Sequence, residues 1–167
     1  IYYGEKGVPK IAAAIERLNL SDKEYFNTKT KLIAELGYIK DTTRPVVVNH
    51  LKKMYEQTAD TSLFQNEVFH SLARHKTAAA YNLFKELILQ DPPIFESDYE
   101  YSDLFDNLQD SLLLARSLFP ELLQLTSLSD YKGKVLSLLV TLVDSNIIRA
   151  SEYESYFSKI YFDAKIE

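Results

Sequence analysis

The stretch KLIAELGYIKD, residues 31–41, followed by Pro45 and then by Val47-Val48-x-x-Leu51, decides how this chain is read. Its apolar positions return in VFHSLARHKT, residues 68–77. Leu36 corresponds to Leu72, Val47 to Leu83 and Leu51 to Leu87, each 36 positions on, and Pro9 and Pro45 stand in the same relation. A recurrence of this length marks a helix pair as the unit of construction. One pair cannot enclose its own apolar stripe and must stack on a copy of itself.

Working outward, Ile11, Ile15 and Leu18 fall at helical spacing behind Pro9, which a first helical turn tolerates because its missing N–H would have had no partner there. Ser21 and Asp22 offer cap oxygens for a second helix carrying Tyr25, Leu32, Ile33 and Leu36, predicted to loosen or end at Gly37. Pro45 opens a third, with Val47, Val48, Leu51, Met54 and Tyr55 on one face. The Val46-Val47-Val48 triplet alone favours extended backbone, but the stripe continues at helical spacing for two more turns and overrides it. Asp60-Thr61-Ser62 caps a fourth, with Phe64, Val68, Phe69 and Leu72, running to about Lys76; Thr77 begins a fifth over Ala78 to Gln90.

Pro92-Pro93 stops that helix, since the first ring drives Asp91 out of helical geometry and neither proline can donate. Residues 91–101 read as an irregular connection with two exposed tyrosines. Beyond it, residues 102–167 read as more divergent helices. Pro120 kinks one or separates two, Asp130 caps another, and Ser151 caps a last one with Tyr153, Tyr156, Phe157, Ile160 and Tyr161. The expectation is a single helical-repeat domain over 1–167, clearest in 9–91.

Composition narrows the function classes. With 46% hydrophobic and 26% charged residues, four Gly and five Pro, the chain is globular in composition. A net charge of −5 repels phosphate backbones, so a general role on nucleic acid or an anionic membrane would need a local basic patch, and none stands out. The absence of Cys removes disulfides and thiolate chemistry and leaves the compartment undecided. The longest apolar stretch, Val135 to Val143, is far short of the roughly 20 residues of a membrane-spanning helix. A start at Ile1 and a charged end at Asp163-Ala164-Lys165-Ile166-Glu167 read as a segment of something longer.

The run Lys31 to Asp41 with Pro45 and Val47-Val48-x-x-Leu51 resembles a HEAT-like repeat junction, in which an inner helix ends in a Leu-Gly pair, an Asp caps the turn and the next outer helix begins near a proline. The second copy keeps the apolar positions but has Ala73 for Gly37 and Thr77 for Asp41. The resemblance covers about half the chain. It implies an all-α fold, an alpha-alpha superhelix of stacked antiparallel helix pairs, with a concave face lined by the inner helices. It implies a scaffold that holds proteins or peptides, and it nominates no catalytic residue.

Candidate chemistry is thin. His70 and His75 are five apart, not the spacing that sets two imidazoles on one helix face for zinc, and His50 is remote in sequence. The acids between Asp91 and Asp110 lack the glycine-punctuated alternation of a calcium loop; Asp103, Asp106 and Asp110 recur at helical spacing, as on a solvated face. No phosphate-binding glycine loop and no Gly-x-Ser-x-Gly elbow is present, so no cofactor or metal is assigned.

The excess lies in aromatics, 12 Tyr and 9 Phe with no Trp. Tyrosine combines contact area with a polar handle, which makes Tyr99, Tyr101, Tyr153, Tyr156 and Tyr161 candidates for contact with a partner, against the alternative that they pack between helices. The expected function is therefore a non-catalytic module binding another protein or another domain of its parent chain. The rivals are a HEAT-like nucleic-acid enzyme such as a DNA glycosylase relative, which would need Lys29, Lys31, Lys52, Lys53, Arg74 and Lys76 to cluster, and a passive spacer appended to an enzyme.

Overall fold

A computed structural model describes residues 4–18, 24–40, 44–58 and 62–154. Among them are eight α-helices and no strand: α1 (Val8–Arg17), α2 (Phe26–Tyr38), α3 (Val46–Gln57), α4 (Ser62–His75), α5 (Ala78–Ile88), α6 (Asp98–Gln109), α7 (Leu112–Leu122) and α8 (Ser129–Asp144). Short 3-10 turns lie at Gly4–Gly7, Leu123–Ser127 and Ala150–Tyr153. The protein is all-α. The residue pattern behind this is the apolar stripe of each helix: Val47, Val48, Leu51 and Met54 of α3 are all buried, and the valine triplet is helical.

The helices form two rows. Each even-numbered helix packs on the next even one, α2 on α4, α4 on α6 and α6 on α8; the odd-numbered helices do the same from α1 to α7. Most neighbours in sequence also touch across the two rows. Several cross-helix ion pairs fall at a similar separation in sequence, although Arg74 and Asp103 are only 29 apart. Lys53 meets Glu16 at 2.6 Å, 37 positions apart, and Lys52 meets Glu86 at 2.9 Å, 34 apart. Lys76 meets Asp110 at 2.6 Å, 34 apart, and Lys134 meets Asp98 at 3.0 Å, 36 apart. Lys85 reaches Glu121 at 2.9 Å. The last three reach past residue 91, where the sequence repeat stops being clear, and Lys134 with Asp98 lies wholly beyond it. These separations bracket the 36-residue interval of the sequence, so the packing is compatible with a repeated helix pair.

Helix α4 sits at the centre, between α2 and α6, with α3 and α5 also packed on it. It is enclosed almost all round: apolar Phe64, Val68, Phe69, Leu72 and Ala73 are buried, and so are Gln65, Asn66, His70, Ser71 and His75. Its closest partner is α2. A Cβ placed on Gly37 would lie 2.9 Å from both the Cα and the carbonyl oxygen of Ser71. Ser71 Oγ donates to the Ile33 carbonyl at 3.0 Å, 38 positions back. α2 ends at Tyr38, one residue past Gly37 and close to the expected stop, but the glycine has a second role. It clears room for α4.

Other helix ends depart from expectation. Tyr25, in left-handed geometry with φ 55, precedes α2 and is exposed instead of joining its stripe. The expected caps Ser21, Asp22, Asp60 and Thr61 lie outside the described residues. α5 closes at Ile88 instead of Gln90, and Thr77 Oγ1 accepts from the Ala80 N–H at its start. α6 begins at Asp98, inside the stretch expected to be irregular. Ser97 and Glu100 form a capping box, with the Ser97 N–H donating to Glu100 Oε2 at 3.2 Å. The break that follows falls at Asp110-Ser111, while Pro120 rides inside α7, which tightens into a 3-10 turn from Leu123. Asp130 lies in the first turn of α8 instead of capping it.

Candidate interaction surface

The segment from Asp91 to Ser97 links the odd row back to the even row, and each of its peptide groups must find partners without helix or sheet. Tyr131 of α8 donates its hydroxyl to the Pro93 carbonyl at 2.6 Å. Asn66 of α4 donates to the Ile94 carbonyl at 2.8 Å, and the Phe95 N–H donates to the Tyr101 hydroxyl at 3.3 Å. Beneath the segment runs a chain of edge-to-face rings, with Phe95 against Tyr101 at 4.8 Å and Tyr101 against Tyr131 at 5.2 Å between centroids. Burial raises the Tyr131 hydroxyl pKa well above its ordinary value, so it stays a donor.

Anchored in this way, the connection turns one apolar side chain outward. Ile94 is 78% exposed. It borders a cleft of about 370 Å³ shared with Asp91, Pro92, Leu128, Asp130 and the rings of Tyr101 and Tyr131. Leu128, immediately before α8, is 43% exposed. Ser129 and Asp130 also line a second, more polar depression of about 550 Å³ between α6 and α8, with Asp98, Asp106 and Lys134 along it. Lys134 spans it, bonding Asp98 and the Ser102 hydroxyl. Asp91 and Asp130 have no cationic partner among the described residues.

A second polar group lies where α4 meets α6. Arg74 holds Glu67 at 2.8 Å and Asp103 at 3.2 Å, and its guanidinium lies 5.9 Å from the centre of the Tyr38 ring. His70 Nδ1 lies 3.0 Å from Asp103 Oδ2. Burial, reinforced by the positive charge of Arg74, lowers the His70 pKa to about 4 against the opposing pull of Asp103 and Glu100. The imidazole is neutral at pH 7. Burial also holds the Glu67 carboxyl above its usual range, outweighing Arg74. No group of three or more potential metal ligands occurs among the described residues, and no described helix is long and apolar enough to cross a membrane.

The five tyrosines singled out by sequence separate. Tyr99 is 77% exposed. Tyr101, expected to be exposed, is 5% exposed because its ring stacks among Phe95 and Tyr131 and its hydroxyl accepts from the backbone. Tyr153 is half-buried, edge-on to Phe119 at 4.9 Å. Tyr156 and Tyr161 lie outside the described residues. The six basic residues that a nucleic-acid channel would need do not pool. Lys29 is buried over the Phe64 ring, Lys52 and Lys53 pair with acids along the odd row, Arg74 and Lys76 pair with acids of α4, α6 and the α6–α7 turn, and Lys31 is exposed.

Sequence reasoning missed Ile94, Leu128, Asp91 and Asp130 as a group. Only Ile94 carried a local signal, as a large apolar residue placed between Pro92-Pro93 and a capping box where no helical stripe could use it. No protein-family model, curated protein or solved structure matches this chain.

Proposed function

We propose that the chain is a non-catalytic, HEAT-like helical-repeat module whose work is to bind another protein or another domain of its parent. The observation that carries the proposal is the pairing of a two-row helix stack with outward apolar residues, Ile94, Leu128 and Tyr99, near the Asp91–Ser97 connection and the start of α8. Exposed large side chains on an anchored backbone are unfavourable in water and become favourable against a partner. The dispersal of the lysines into ion pairs supports this reading over a nucleic-acid enzyme, because backbone recognition needs unneutralised cations on one surface.

Selection of a displayed peptide library against the purified chain tests the proposal. Enrichment of binders whose affinity is lost on Ile94→Glu is the expected result. No enrichment above an inert control would reduce the chain to a spacer, and salt-sensitive DNA affinity in the low micromolar range would restore the enzyme reading.

A further inference from the structure

We infer that the cleft between Ile94 and Leu128 is a docking site for a short basic peptide segment, which inserts one aliphatic or aromatic side chain and sets flanking Lys or Arg residues against Asp91 and Asp130. The inference rests on the interaction-module reading and specifies its partner. Three features of the cleft combine to define the occupant.

The first is preorganisation. The backbone carrying Ile94 is held from three directions, by Asn66 of α4 at its own carbonyl, by Tyr131 of α8 at Pro93 and by Tyr101 of α6 at Phe95. A segment so fixed has little entropy left to lose on binding, and the same bonds keep Ile94 from folding back into the core. The second is the floor. Tyr101 and Tyr131 are buried, with ring centroids 5.2 Å apart, and the volume of about 370 Å³ suits a single large side chain and its neighbouring backbone.

Charge is the third feature and selects the partner. The cleft is lined by Asp91 and Asp130 and by no cation. The adjoining depression adds Asp98 and Asp106 against Lys134 alone, and Lys134 is already bonded to Asp98. An acidic segment or an anionic membrane surface would meet repulsion there, while an apolar residue flanked by Lys or Arg finds both its environments. The buried area is small, so the complex is weak and exchanges quickly, with Kd on the order of 10–1000 μM.

The test uses three synthetic peptides of one length: Leu flanked by two Lys on each side, the same with Glu in place of Lys, and the same with Ser in place of Leu. Binding to the whole chain is read by anisotropy and by amide chemical-shift changes. The Lys-flanked Leu peptide is expected to bind, with shifts at Ile94, Leu128 and Tyr131 and affinity falling as salt rises. Leu128→Ser, which removes the apolar contact without changing the charge, should weaken it about tenfold, and the Asp91→Asn, Asp130→Asn pair about threefold to tenfold while flattening the salt dependence. Folding of each variant is checked by circular dichroism.

Equal binding of the Glu-flanked peptide, shifts confined to another face, or concentration-dependent shifts at the cleft without any peptide, which would make a second copy the occupant, each overturn the inference. No binding of the Lys-flanked peptide alongside a library-selected binder elsewhere overturns it and leaves the module reading standing. Failure of both selections removes the module reading too.

Discussion

Gly37 of α2 lies against the backbone of Ser71 in α4 so closely that a methyl group on it would come within 2.9 Å of the Ser71 Cα and carbonyl oxygen. Two effects compete on replacing it. Alanine is the better helix former by about 1 kcal/mol, but the atoms in its way are main chain of the most enclosed helix and cannot swing aside. Overpacking should win, and Gly37→Ala is expected to lower stability by about 1–3 kcal/mol. Chemical denaturation measures it; a stabilised variant would mean that α2 and α4 stand further apart than described.

Lys40 reaches from the end of α2 to the carbonyl oxygens of Arg74 and His75, the last two residues of α4. There an ammonium satisfies orphaned acceptors and faces the negative end of the helix dipole. Lys40→Met should cost about 0.5–1 kcal/mol, a modest figure because solvent screens the site. Hydrogen exchange should locate the loss in the last turn of α4.

Tyr131→Phe removes the donor from the buried Pro93 carbonyl while leaving the ring stack in place. A stability loss of about 1–2 kcal/mol is expected. If the Asp91–Ser97 connection is held by this bond, amide exchange at Ile94 and Phe95 should accelerate more than exchange at α1.

The neutral state of His70 gives the stability a pH dependence. The unfolded chain takes up this proton near pH 6.5 and the folded chain only near about 4. Its contribution is therefore present in full above pH 6.5 and falls as pH drops toward 4, by up to roughly 1.4 kcal/mol per pH unit. Glu67 acts in the opposite sense, because its folded carboxyl protonates before its unfolded one. Arg74, Asp103, Glu100 and Phe95 complete the surroundings. Measuring wild type against His70→Gln isolates the histidine: the stability difference should shrink from pH 7 to pH 5, and a constant difference would refute the account.

The architecture was legible because it lives in spacing. Leu36 with Leu72 and Val47 with Leu83 recur at 36 positions, and the helices they belong to pack with side-chain contacts near that separation, 38 positions from Ser71 to Ile33 and 34 from Lys52 to Glu86. What spacing does not carry is why a residue is present. Gly37 fits a helix stop as well as a close crossing, and only the partner backbone reveals the crossing. Tyr101 and Tyr99 are two apart in one helix, and the fold buries one and exposes the other. The cleft was hidden because Ile94 and Leu128 come from connections 34 positions apart, which no local window joins.

Because the chain lacks cysteine, engineered thiol pairs joined by a short bifunctional reagent test the stacking most directly. Glu16 with Lys53 and Lys85 with Glu121 form ion pairs across adjacent odd-row helices; Glu16, Lys53 and Lys85 are about half-exposed while Glu121 is largely buried, so the folding of each cysteine variant is checked by circular dichroism. Both cysteine pairs should cross-link efficiently within one chain, and a Glu16→Cys, Glu121→Cys pair should not. Equal cross-linking of that third pair would mean that the helices close around one axis, and the account of a 36-residue step repeated along an open stack would be wrong.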